Sequence, residues 1–505
     1  MCLLMNRCSC RSEQHDAPLV RAIEEYVDKR TKRFHVPGHK GGANPAIANL
    51  DPISPYKTQC LLGDVTELPG LDDLHAPKGA ILEAQRLAAG AFGADTTFFL
   101  VNGSTCGIHS AILAISKPGD KIAVSRDVHK AVIGGLVLSG AHPVYFDVEV
   151  DKEFQISLGP TEDSLRRTLD EHPDVRGVVF TNPNYYGVSP RIDLLVALVH
   201  DYDKIALIDE AHGAHLPFHK ELPLSGLEVG ADIVVSGAHK TLPAMTQTSF
   251  LHLKGSRVSA KDISRALAVI ETTSPSYPLM ASLDMARKLA ATRGCELLSS
   301  VIKATRQARE KLNRTPGIRC LTGEYVASKG FRYDPTKLVV SLSDLHMTGF
   351  EVSDILRQKH KIEVEFADMV NIVAILTMID MEQDVRDLAQ ALCEIIENKF
   401  PRRCKAVSSE SDIEQALSGL SRVLQDLPKQ EMTSREAMFS KWEWVEIEQA
   451  KGRISADTIV PYPPGIILIC PGQKITSSAT DYMVSAVSCG VRFHGVEDNR
   501  ILVVE

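Results

Sequence analysis

The sequence predicts an α/β fold. A mostly parallel sheet carries helices on both faces, and a small α+β module and a C-terminal piece follow it. Three observations predict this. Between residues 80 and 250, short apolar runs alternate with helical patterns, the rhythm of βαβ units. Those runs are apolar throughout, as strands buried on both faces are. The chain has 505 residues, 44% of them hydrophobic and 24% charged, enough for several domains with sizeable cores.

Taken in order, residues 19–28 read as a helix. It leads into Arg33-Phe-His-Val-Pro-Gly-His-Lys-Gly-Gly42, where proline and glycine impose a loop. A second loop, 64–79, contains Asp72, Asp73 and His75. Runs at 97–101, 121–125, 143–146, 177–181, 205–208 and 233–235 read as strands. Residues 107–116, 129–138 and 194–200 read as helices between them. Residues 281–315 are helical and charged. From 336 to 400 a strand (338–342), a helix (351–359), two apolar runs (362–366 and 370–376) and a helix (382–398) make the α+β module. The expected organisation is an N-terminal segment (1–30), a large domain (31–300), a small domain (301–400), a serine-rich linker (401–429) and a C-terminal domain (430–505).

Composition excludes several classes. Lys+Arg is 56 and Asp+Glu is 64, a formal charge of -8. This gives no bulk attraction to nucleic acid or to an anionic membrane. No apolar run approaches the roughly 18 residues of a membrane helix. The 11 cysteines form no Cys-x-x-Cys pair, so neither a structural zinc site nor a disulfide framework is expected. That usage points to a reducing compartment, expected to be the cytoplasm. Residues 1–12 hold Cys2, Cys8 and Cys10, with Arg7 and Arg11 and no acid; a remnant of an organelle-targeting peptide is the alternative.

Ligands of open parallel sheets bind at the carboxyl ends of the strands. Asp209-Glu-Ala-His-Gly-Ala-His215 follows one run, and Ser236-Gly-Ala-His-Lys240 follows the next. A carboxylate and a lysine so placed are what pyridoxal phosphate requires. The lysine makes a Schiff base with the aldehyde, and the carboxylate keeps the pyridine nitrogen protonated. Singly, each residue also suits a cap or a solvated charge. Gly103-Ser104-Thr105 stands between a strand and a helix, where free N–H groups and hydroxyls suit a phosphate or form a plain N-cap. His129, just past another strand, suits stacking on a flat ring, or capping. His212, His215 and His219 lack the helical spacing of a zinc site, and no metal is expected.

Together these motifs resemble the bacterial-type Orn/Lys/Arg decarboxylases, a fold-type-I, PLP-dependent transferase-like family. The resemblance rests on Phe34-His-Val-Pro-Gly-His-Lys-Gly-Gly42, Asp64-Val-Thr-Glu-Leu-Pro-Gly-Leu-Asp-Asp-Leu-His75 and Val101-Asn-Gly-Ser-Thr105. It rests also on Asp127-Val-His-Lys130, Thr181-Asn-Pro-Asn-Tyr-Tyr-Gly187, Asp209-Glu-Ala-His-Gly-Ala-His215, His239-Lys240, Thr273-Ser-Pro-Ser-Tyr277 and Tyr462-Pro-Pro-Gly465. These occur in order over nearly the whole chain, in the short form that lacks the N-terminal wing domain. The resemblance implies pyridoxal 5'-phosphate as cofactor and decarboxylation of lysine, ornithine or arginine, a reaction of polyamine biosynthesis. It implies that Lys240 is the Schiff-base lysine, that Asp209 partners the ring nitrogen and that His129 stacks on the ring. Ala211 and His212 would line the other ring face. Gly103, Ser104 and Thr105 would hold the phosphate, helped by Ser236 and His239. Lys240, then His129 or His212, would return the proton to Cα. It also implies a homodimer or higher homo-oligomer with active sites at the subunit boundary.

Two departures stand out. Where the family carries Ser-Thr before His-Lys, this chain has Gly237 and Ala238. Where the family reads Pro-Gly-Glu, it has Pro471-Gly-Gln473. They motivate a catalytically impaired partner subunit as an alternative. An aminotransferase-like or lyase enzyme on the same fold is another, although no arginine clamp motif is evident.

Overall fold

The computed structural model describes residues 13–42, 61–345, 347–397, 428–462 and 467–505, with 419, 422, 423 and 426. The cysteine-rich stretch 1–12, most of the linker 401–429 and residues 463–465 of the Tyr-Pro-Pro-Gly motif lie outside them.

Seven strands form the main sheet: β1 (Thr96–Leu100), β2 (Lys121–Ser125), β3 (His142–Phe146), β4 (Val175–Thr181), β5 (Ile205–Glu210), β6 (Ile233–Ser236) and β7 (Ser249–Leu253). Their order is β1-β7-β6-β5-β4-β2-β3. Strands β2 to β6 run parallel. β7 runs against the rest of the sheet, antiparallel to both β1 and β6, and it is absent from the strands read in the sequence. Between β6 and β7 lies one helix of four residues, Ala238–Thr241. A parallel crossover needs a dozen or more residues, so the chain turns straight back.

Side chains alternate across the sheet, and each face has its own core. Val178, Phe180, Ile208, Val234 and Phe250 pack on Leu19, Ile81, Ala88 and Leu283, from the helices Pro18–Asp28, Ala80–Phe92 and Tyr277–Leu312. Val124, Val179, Leu207, Val235 and Leu251 pack on Ile108, Ile133 and Leu267, from Gly103–Ile115, Lys130–Ser139 and Ala260–Ile270. Val460, Ile467 and Cys470 of the C-terminal piece join this second core. Fully buried Arg126 fastens that junction. It donates to the Leu468 carbonyl at 2.5 Å and to Gln473 Oε1 at 3.5 Å.

Tyr277–Leu312 continues past the first core, so that Val301, Ala308 and Leu312 join the core of the small module. The boundary expected at 300 therefore falls inside one continuous helix. The module is an antiparallel sheet of Arg319–Cys320, Lys337–Ser341, Asn371–Ile375 and Phe366–Ala367. The strand expected at 362–366 shrinks to Phe366–Ala367. A π-helical turn, Leu356–His360, closed by left-handed Lys361, takes up the chain before it. Among the described residues, no helix is long and apolar enough to cross a membrane.

Candidate active site

The expected site residues come from four strand ends at the carboxyl edge of the sheet. Asp209 is in β5, paired in register with Val235 and Thr181. It therefore faces the Leu207–Val235 side, while Glu210 faces the other way. Lys240 follows β6 within the short helix Ala238–Thr241. The helix Gly103–Ile115 starts three residues after β1, four residues earlier than the sequence pattern suggests. His129 follows β2 and is the N-cap of Lys130–Ser139, its Nδ1 accepting from the Ala131 N–H at 3.2 Å. Capping thus occupies one ring nitrogen and leaves the ring faces free.

Lys240 Nζ lies 3.1 Å from His212 Nε2. Burial pulls the Lys240 amine below the ordinary lysine range, opposed by the Asp209 and Glu365 carboxylates. Asp209 is 3% exposed. Burial raises its pKa, opposed by Lys240 and by the Ala211 N–H at 3.1 Å. Burial, then the nearby amines of Lys240 and Lys337, hold His212 well below the usual imidazole range. His129 is brought down to about 4 by burial and then by Lys240. Both imidazoles are therefore neutral, and the charge of the site rests with Lys240 and Asp209.

Gly103 has φ +78, and the space where a Cβ would stand is open to 4 Å. Its N–H donates to the Gln247 carbonyl at 2.8 Å. No side chain caps the helix behind it, so the N–H groups of the turn holding Ser104 and Thr105 stay available. The same loop holds His239, whose Nδ1 donates to the Thr248 carbonyl at 2.8 Å. Ser236 is set apart from this group. Its register partners are Glu210 and Phe250, on the sheet face opposite Asp209, and its hydroxyl has no partner. Gly237 is forced: a Cβ there would meet the Ala211 carbonyl oxygen at 2.5 Å. A serine at 237 therefore does not fit this backbone.

The three histidines after β5 diverge. His212 meets Lys240, His215 Nε2 meets Asp334 Oδ2 at 3.0 Å, and His219 meets Ser299 at 2.9 Å. Gln473 is fully buried, and its Oε1 accepts from the Cys470 N–H at 2.9 Å as well as from Arg126. It fastens the C-terminal piece to the large domain.

Two residues at the site are missing from the sequence-based set. The Tyr185 ring packs against His212 at 4.9 Å, with Lys240 Nζ 5.9 Å from its centre. It sits in the motif beginning at Thr181, which served only as a family marker. Lys337 opens a strand of the small module and is fully buried. A lysine heading an apolar run was its only signal.

The chain matches the family described as Orn/Lys/Arg decarboxylase, major domain, over residues 17–384, and its C-terminal domain over 418–500. It is 39% identical to the arginine decarboxylase of Bacillus subtilis over 97% of this chain and 98% of that protein. It is 37% identical to the arginine decarboxylase of Bacillus anthracis over 97% and 96%. The lysine decarboxylase of Francisella novicida shares its fold, with a TM-score of 0.86 at 20% identity over 97% of this chain and 81% of that one.

Proposed function

The chain belongs to the Orn/Lys/Arg decarboxylase family, pyridoxal phosphate-dependent enzymes that decarboxylate basic amino acids, and from that premise we propose that it converts L-arginine to agmatine and CO2. Two relatives at 37–39% identity along nearly their whole length are arginine decarboxylases, and this supports arginine over lysine or ornithine.

The observation that carries the assignment of roles is the convergence of Lys240, Asp209, His212 and His129 at one end of the sheet. The residues present fit the coenzyme. A partly buried amine, a buried carboxylate and an uncapped helix start with open space at Gly103 supply what its three polar ends need. Lys240 holds the aldehyde, and Asp209 pairs with the ring nitrogen. His129, Ala211 and His212 line the ring. Ser104, Thr105 and the N–H groups after Gly103 hold the phosphate, with His239 beside them. When bound, pyridoxal phosphate supplies an electron sink for the pair left behind by CO2.

The rest is the work of the chain. Burial pulls the Lys240 amine below the ordinary lysine range, which favours the neutral, nucleophilic form. Asp209 keeps its charge aimed at one place, at no reorganisation cost during reaction. Lys240, held by His212, returns the proton to Cα. The Gly237 and Gln473 departures leave these groups in place.

The test is CO2 release from arginine, lysine and ornithine, with the visible absorption of purified protein and of Lys240→Ala. We expect kcat/KM to be highest for arginine, and the Schiff-base band to vanish in the variant. Release from lysine alone would overturn the substrate assignment. A band that survives in Lys240→Ala would overturn the lysine assignment.

The same reading takes the working unit as a homodimer or larger homo-oligomer with sites at the subunit boundary, as the resemblance implies. It places the protein in the cytoplasm, supported by the lack of a disulfide at any of the six cysteines among the described residues.

A further inference from the structure

We infer that Asp127 is a positioning residue: through buried hydrogen bonds centred on Ser157, it fixes the His129 loop against the Tyr185 loop. The inference deepens the proposed function and rests on its placement of His129 and His212 along the coenzyme ring.

The two loops leave different strands. His129 follows β2, and Tyr185 follows β4. Tyr185 backs His212, ring centre to ring centre 4.9 Å, and its own centre lies 5.9 Å from Lys240 Nζ. A flat ring lined by groups from both loops is aligned only if their separation is fixed. Ser157 bridges that separation. It lies in the strand Ile156–Pro160, paired in a two-stranded ribbon with Val148–Asp151. Its hydroxyl donates to Asp127 Oδ2 at 2.9 Å, and its carbonyl accepts from Asn184 Nδ2 at 2.7 Å.

Each end of this bridge is a closed turn. At one end Ser125 Oγ donates to Asp127 Oδ1 at 2.5 Å, and the Ser125 carbonyl accepts from the Val128 N–H at 3.3 Å. That turn delivers His129 as the N-cap of its helix. At the other end Asn184 Oδ1 accepts from the N–H groups of Tyr186 and Val188, both at 3.0 Å. The Asn184 carbonyl accepts from the Gly187 N–H, also at 3.0 Å. Tyr185 is held inside this Asx-type turn. Every link between the two loops is a direct hydrogen bond, and Asp127, Ser157 and Asn184 are all buried.

Among the described residues no cation pairs with Asp127. Its neighbour Arg126 is turned to Leu468 and Gln473. Burial raises the Asp127 pKa, opposed by the two serine hydroxyls. Its part is therefore that of a forked polar group engaging two serines, and not that of a counter-charge. Asparagine preserves the fork, because a hydroxyl can accept from its NH2 as well as donate to its oxygen. Leucine leaves both serine donors buried without an acceptor.

The experiment uses the holoenzyme of the parent, Asp127→Leu, Asp127→Asn, Ser157→Ala and the double variant Asp127→Leu/Ser157→Ala. Three quantities are read: unfolding temperature, visible circular dichroism per bound coenzyme, and kcat with KM for the basic amino acid turned over best. The dichroism reports how the coenzyme ring is seated, which a loss of stability alone does not move. In Asp127→Leu we expect the dichroism to change and kcat per bound coenzyme to fall about 10- to 100-fold, the cost of a misplacement of about 1 Å. KM should hold. Ser157→Ala should show the same changes to a smaller degree. The double variant should be no worse than Asp127→Leu, because both residues act in one network. Asp127→Asn should keep the parental dichroism and most of kcat.

Parental dichroism and kcat in Asp127→Leu and Ser157→Ala would overturn the role. So would a lower unfolding temperature with nothing else changed, the mark of a purely structural strut. Losses that multiply in the double variant, or an Asp127→Asn enzyme as impaired as Asp127→Leu, would overturn it as well. Should Asp127→Leu not fold, Ser157→Ala and Asp127→Asn decide by the same criteria. A parent with no coenzyme band and no CO2 release overturns the underlying assignment too. A working parent beside unimpaired variants overturns the role of Asp127 alone.

Discussion

Lys240 Nζ and His212 Nε2 stand 3.1 Å apart, a lysine and an imidazole sharing one proton. Burial disfavours charge on either, and Lys240 disfavours charge on His212. Asp209 tips the balance toward a proton on Lys240, because it is the largest influence raising the lysine's pKa. The site is thus a three-body device in which the carboxylate decides where the charge sits.

Asp209→Asn removes that decision at almost constant shape. We expect kcat to fall about 10²- to 10³-fold, the usual cost of one preorganised electrostatic partner. The free Lys240 amine should titrate lower than in the parent, because its largest opposing charge is gone. Stopped-flow CO2 assays and the pH dependence of coenzyme reconstitution measure the two effects. Activity within threefold of the parent would show that Asp209 is not the partner of the ring nitrogen.

Gly237→Ser restores the residue more usual in the family, yet it should harm this protein. Its Cβ would meet the Ala211 carbonyl oxygen at 2.5 Å, and neither backbone segment can yield cheaply in a packed core. A cost of about 1–3 kcal/mol is expected, with weaker coenzyme binding because Ala211 borders the site. Thermal unfolding and coenzyme titration decide the matter. Tighter binding in the variant would contradict the steric argument.

Gln473→Glu should stabilise the fold without changing kcat. In the parent, Gln473 Nε2 and Arg126 Nε are buried without partners. A carboxylate removes the first of these and places a negative charge against a guanidinium that is already desolvated. Removing one unsatisfied buried donor is worth about 1–3 kcal/mol. The cost of burying the new carboxylate reduces the net gain to about 1 kcal/mol. A rise of a few degrees in Tm is expected, and a lower Tm would refute it.

Glu210 carries a pH prediction. Burial pushes its carboxyl up to about 8, although Gly226 N–H, Asn182 and Ser225 all donate to it. The unfolded chain ionises this group near 4.5. Between those values the native state binds more protons than the unfolded one, so stability falls as pH rises from about 5 to 8. Glu210→Gln mimics the protonated form and should flatten that slope. Urea unfolding of both proteins at pH 5, 6, 7 and 8 tests it. Parallel curves would place the ionisation elsewhere.

Much of this molecule was legible in its residues. The apolar runs at 121–125, 205–208 and 233–235 were strands because nothing polar interrupts them. The residues just beyond them met in space because parallel strands share one carboxyl edge. Four departures have physical causes. β7 escaped notice because its direction depends on the shortness of the connection from Lys240. Ser236 looked like a phosphate ligand by proximity in sequence, but strand alternation sends it to the far face. Gln473 looked like a missing acidic group at the entrance, whereas it is a fastener between domains. The burial of Lys337 was invisible because it depends on the space left at Gly187, 150 residues away in the chain.

The C-terminal piece supplies Val460, Ile467 and Cys470 to the core on one face of the sheet, and Leu468 and Gln473 to Arg126. A polypeptide ending near residue 425 would leave a guanidinium stranded in oil and one side of the sheet stripped bare. Shortened forms of this enzyme should therefore clump rather than work at reduced speed, and the last eighty residues are scaffold to the first three hundred.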